Sequence, residues 1–137
     1  MSSQKQKALF LESKQGRFIV GERDVPMPSK GQLLVKIHAA ALNPIDYKIQ
    51  QTGVFVEKFP AVLGVDMAGV VERVGDGVQD FVTGDKVYVQ FYLGSDTPFD
   101  HIRSFSHGSF SNDQSTYQKY AVAVTDYTAK VSECNND

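Results

Sequence analysis

Residues able to do chemistry crowd one short stretch of this sequence. Within "NPIDYK" stand an amide, a carboxylate, a phenol and an ammonium: Asn43, Asp46, Tyr47 and Lys48. A structural role accounts for much of that corner. Asn43 is a favoured N-cap, because its side-chain oxygen can accept from a free N–H of a first helical turn. Pro44 falls where a missing N–H costs nothing. Asp46 can reach back to the cap and suits the positive end of the helix dipole. Ile45 and Ile49, four apart, face a core together, Lys48 borders that apolar face, and Gly53 stops the helix. Asp66 lies inside an apolar block and needs a partner; a structural hydrogen bond suits it better than acid–base work. His38, His101 and His107 are scattered and read as solvated or hydrogen-bonded side chains. Cys134 stands alone, which excludes a disulfide within the chain and an all-cysteine zinc site. "VGDGVQD" (74–80) imitates the start of a phosphate-binding glycine pattern, but Asp80 replaces the third glycine and no helical period follows.

The elements that must carry these residues are mostly strands. "KALFLE" (7–12) and "RFIVGE" (17–22) predict a hairpin around "SKQG", and "VPMPSKG" (25–31) a loop. "QLLVKIHAAAL" (32–42) alternates, with Leu33, Val35, Ile37 and Ala39 on one face and Leu34, Lys36, His38 and Ala40 on the other. "GVDMAGVVERVG" (64–75) is a second long strand whose glycines imply a bend or a close backbone approach. Turns at Gly-Asp pairs precede a strand at 86–90. Residues 93–115 lack a period and predict a long surface loop. Strands return at 117–124 and 128–131. The fold class is therefore mainly β with a short helix, a barrel or sandwich rather than a βαβ fold.

At 137 residues the chain is sized for one domain with its own core. A net charge of -2 without a basic stripe argues against nucleic acid. No apolar run approaches the roughly 20 residues that span a bilayer, and the N-terminus lacks a secretory h-region. These features predict a cytoplasmic setting with no membrane partner.

"NPIDYKIQQTG", followed by "FPAVLGVDMAGVVERVGDGVQDFVTGDKVY", resembles the N-terminal catalytic domain of the medium-chain dehydrogenase/reductase superfamily. The resemblance is to its zinc-independent quinone and enoyl reductases and runs over roughly residues 5–131. It is most specific in P-x-V-L-G-x-D-x-A-G-V-V (60–71), V-G (74–75) and F-x-x-G-D-x-V (81–87). It implies a GroES-like, partly open β-barrel over 1–137, with the Rossmann cofactor domain absent from the chain. Zinc relatives place Cys where Asn43 stands and His where Val65 stands. Neither present residue replaces those ligands, which implies no metal.

The implied activity is NADPH-dependent reduction of quinones or α,β-unsaturated carbonyl compounds, with a small-molecule substrate. By resemblance Asn43 lines the cleft near the nicotinamide. Lys48 matches a position facing the active site, where an ammonium would bind a substrate carbonyl or a cofactor phosphate; a solvated charge is the competing account. Both are the expected catalytic and cofactor-binding residues, with Phe55 and Tyr47 on the substrate. Phe55 stands where many enoyl reductases carry a donor Tyr, so it can pack but not donate. Tyr117 is expected to pack in a strand or border the cleft. The competing functional reading is a non-enzymatic GroES-like domain that binds a small apolar ligand or a partner. The chain alone is expected to be inactive, and homo-oligomerisation through exposed apolar surface is left open.

Overall fold

The structure, a computed structural model, describes residues 3–90 and 111–132. The expected loop at 93–115 lies mostly outside them, as do His101, His107, Cys134 and the tail from 133 onward. The hairpin forms as expected. β1 (Lys5–Leu11) and β2 (Phe18–Asp24) pair antiparallel, with Leu11 opposite Phe18. The chain then runs through the proline-containing loop into β3 (Gln32–Ala40), α1 (Pro44–Thr52), the short β4 (Ala61–Val62) and β5 (Met67–Val74). β6 (Lys86–Val89), β7 (Tyr120–Val124), a 3₁₀ turn and β8 (Thr128–Lys130) complete it. β2-β1-β4 make one small sheet; β7-β3-β5-β6-β8 make the larger one. Among the described residues the result is mostly strands in two curled antiparallel sheets with one α-helix, a GroES-like partly open β fold.

The larger sheet holds the main core. Leu33, Val35, Met67, Val71, Val87, Ala121 and Ala123 pack together, with Ile37 against them. The alternation expected in β3 holds for Leu33, Val35 and Ile37. Leu34 is also buried, outside that cluster, and the pairing with β5 slips between Leu34 and Val35 and again between Ile37 and Ala39. Those bulges bend the strand, and Ala39 to Ala41 emerge exposed rather than core-facing.

α1 is too short to persist alone and depends on packing. Ile49 is fully buried beside Leu11, Ala61 and Leu63, with Ile45 at the margin. Burying a side chain of that size contributes about 1.5–3 kcal/mol. Gly53 ends the helix at φ 71°, and its N–H donates to the Ile49 carbonyl.

Candidate functional site

The bent end of β3 opens a groove. Ala39–Ala41, Asp66–Ala68 at the start of β5, and Tyr88–Gln90 at the end of β6 border about 360 Å³ that is open to solvent. The alanines leave the space, and Met67 and Val89 keep the walls largely apolar. Asp66 is the acidic group among these lining residues.

Asn43 ties this groove to the helix. Its Nδ2 donates to Asp66 Oδ2 at 3.0 Å. A carboxylate only accepts, so the nitrogen end of the amide must face Asp66. The Asn43 backbone N–H donates to Asp46 Oδ2 at 2.8 Å, closing the capping box expected from the sequence. The Tyr117 hydroxyl donates to the same Oδ2 at 2.7 Å and lies 3.3 Å from the Ala41 carbonyl oxygen. Asp46 is only 7% exposed, and its Oδ1 has no hydrogen-bond partner among the described residues. Asp46 is thus a capping carboxylate that also anchors Tyr117, and Asp66 has the side-chain partner its setting required.

Burial, then the hydrogen bond to Asp46, then the charges of Asp46 and Asp66 all push the Tyr117 phenol well above its ordinary value of 10.0. The native state therefore holds that proton more tightly than the unfolded chain. The resulting stabilisation is complete below pH 10 and is lost as pH rises above it. Tyr117→Phe is expected to cost about 1 kcal/mol at neutral pH. It should also flatten the decline in stability above about pH 10. Urea melts of both proteins across that range check it, and parallel alkaline slopes would count against the assignment.

The other residues singled out from the sequence sit apart from the groove walls. Tyr47 (65% exposed) and Lys48 lie on the exposed side of α1. Phe55 follows the helix stop, 41% exposed, with a left-handed backbone (φ 66°) that a bulky residue seldom adopts. What sequence reasoning missed is the wall from β6 and the bond between Tyr117 and Asp46. The run of three alanines at 39–41 was the available signal for the groove. Nothing local links residues 71 positions apart.

A family model for the alcohol dehydrogenase GroES-like domain matches residues 29–133. The chain belongs to that family. It lies within the medium-chain dehydrogenase/reductase superfamily, whose members similar to it are oxidoreductases. A trans-enoyl reductase of Penicillium sp is 32% identical over 111 residues, 80% of this chain and 27% of that protein. A zinc-type alcohol dehydrogenase-like protein of Staphylococcus epidermidis is 47% identical over 72 residues, 53% of this chain and 20% of that protein. The quinone oxidoreductase structure from Coxiella burnetii superposes with a TM-score of 0.70 at 27% identity, covering 93% of this chain and 37% of that one. The chain thus spans well under half the length of these relatives. No helix among the described residues is long and apolar enough to cross a membrane.

The donor set at the corner does not fit a zinc ion. Val65 offers no ligating atom, and the Asn43 amide nitrogen is bonded to Asp66. Nor does α1 fit a dinucleotide's phosphates. Its N-terminal turn is already served by the buried Asp46 carboxylate, and no glycine-rich turn precedes it.

Proposed function

We propose that the chain is the substrate-side domain of an NADPH-dependent, zinc-independent reductase of quinones or α,β-unsaturated carbonyl compounds, working in the cytoplasm. The observation that carries this is the Asn43–Asp66 bond beside an apolar groove that a flat, neutral carbonyl compound suits. NADPH, when bound by a companion Rossmann domain, supplies the hydride. The groove orients the substrate. Charge that develops on the carbonyl oxygen must meet a hydrogen-bond donor or a cation, and the Asn43 amide and the Lys48 ammonium are assigned those roles. Lys48 can alternatively hold a cofactor phosphate. By the resemblance, Phe55 and Tyr47, which stand apart from the groove walls, are assigned to an apolar part of the substrate that reaches outside the groove.

The test joins this chain to a dinucleotide-binding domain of the family and follows NADPH oxidation with a simple quinone and a simple enone. Turnover that persists after exhaustive chelation, with NADPH preferred over NADH, is expected. Quinone binding by the chain with no turnover in the joined protein would instead support a non-catalytic ligand-binding domain.

A further inference from the structure

Asp66 is the acidic side chain among the groove's lining residues, and it is also the acceptor for the Asn43 amide. An isolated asparagine amide can flip, presenting either its oxygen or its nitrogen. Here the nitrogen end is constrained: Asp66 takes one Nδ2–H. The backbone of Asn43 is held separately by Asp46, whose same Oδ2 also accepts from the Tyr117 hydroxyl. After these contacts the group the amide still has to give is its second Nδ2–H.

We propose that Asp66 is a positioning residue: it fixes the flip of the Asn43 amide so that the second Nδ2–H is offered to a carbonyl oxygen in the groove. This deepens the functional reading above and rests on it for its kinetic consequence. Asp66 then contributes nothing as a proton donor. Its negative charge is neighbour to the amide rather than to the reacting carbon, and its value lies in selecting one of two amide orientations. A neutral acceptor in its place should largely suffice.

Two measurements test this independently. In the 137-residue chain, ¹⁵N-resolved NMR of the Asn43 side chain should show two well-separated amide protons, one of them shifted by its carboxylate partner. In Asp66→Ala that separation should collapse toward an exposed asparagine's, while the Asn43 backbone amide, held by Asp46, stays in place. Asp66→Asn should retain most of the separation, and its backbone spectrum controls for folding. In the protein joined to a dinucleotide-binding domain, Asp66→Ala should lower kcat about tenfold, less than the roughly 10²–10³ lost when a donor itself is removed. KM should barely move, and Asp66→Asn should recover most of the rate. Unchanged Asn43 side-chain resonances in Asp66→Ala overturn the proposal. So does a collapsed separation with an undiminished kcat. Absence of any turnover in the wild-type joined protein sinks the functional reading, and the NMR result still decides the amide.

Discussion

Gly69→Ala is expected to cost about 4 kcal/mol or more, most of the stability of a domain near the low end of the ordinary range of roughly 5–15 kcal/mol. Gly69 lies in β5, paired with Ile37 on one side and Val87 on the other. A Cβ there would stand 2.1 Å from the Lys36 carbonyl oxygen, 2.9 Å from its carbon and 3.0 Å from Val35 Cγ1. Two of those atoms are backbone of the neighbouring strand, so no rotamer change relieves the clash. The strands must separate, and β3 and β5 form the centre of the larger sheet and two walls of the groove. Ordinary overpacking costs about 1–3 kcal/mol because side chains can shift, and here they are not the obstacle. Gly31→Ala is the matched control. Its φ is 73° but a Cβ would meet nothing within 4 Å, so only backbone strain of about 1–2 kcal/mol applies. Urea midpoints rank the two. A Gly69→Ala protein as stable as Gly31→Ala would show that β3 and β5 are not packed as described.

Local chemistry explains which parts of this molecule were readable from residues alone. The cap at Asn43, the carboxylate at Asp46 and the stop at Gly53 are decided within a few positions, and all three appear where the sequence places them. The hairpin of β1 and β2 is equally local. The glycine pair at 64 and 69 announced a close approach without naming the partner strand, which is β3 at Lys36 for Gly69. The groove was less legible because it is made by an irregularity. Strict alternation keeps Ala39 on the core face, whereas the bulges after Leu34 and Ile37 lift the alanine run out of the sheet's core. The Tyr117–Asp46 bond depends on how the far end of the chain returns past β1. A network of Gln6, Gln118 and Arg23 guides that return: Gln6 Nε2 donates to Gln118 Oε1 at 3.1 Å, and Arg23 reaches Asp113 and the Asn112 carbonyl. Such partners are chosen by three-dimensional closure, and no spacing rule encodes them.

Asn43→Ala in the joined protein is expected to lower kcat by about 10²–10³, the loss typical of removing one preorganised donor from a developing oxyanion. The substitution also removes an N-cap, which costs about 1 kcal/mol of stability. The two effects must be separated, because the capping role alone explains why an asparagine would stand before Pro44. Asn43→Ser separates them. Serine caps a helix about as well as asparagine, so its urea midpoint should stay near that of the parent. Its hydroxyl is shorter than the amide and cannot satisfy Asp66 and a substrate oxygen together, so its kcat should fall nearly as far as in the alanine variant. KM should change little in both, since the apolar walls contributed by Met67 and Val89 are untouched. Electrostatics requires this pattern: a donor near an oxygen that gains charge during hydride transfer is worth more in the transition state than in the bound substrate. A serine variant turning over at the parent rate would mean that Asn43 only starts the helix. The donor would then have to be sought at Lys48, whose ammonium lies on the exposed side of the same helix and whose removal to alanine is the next experiment.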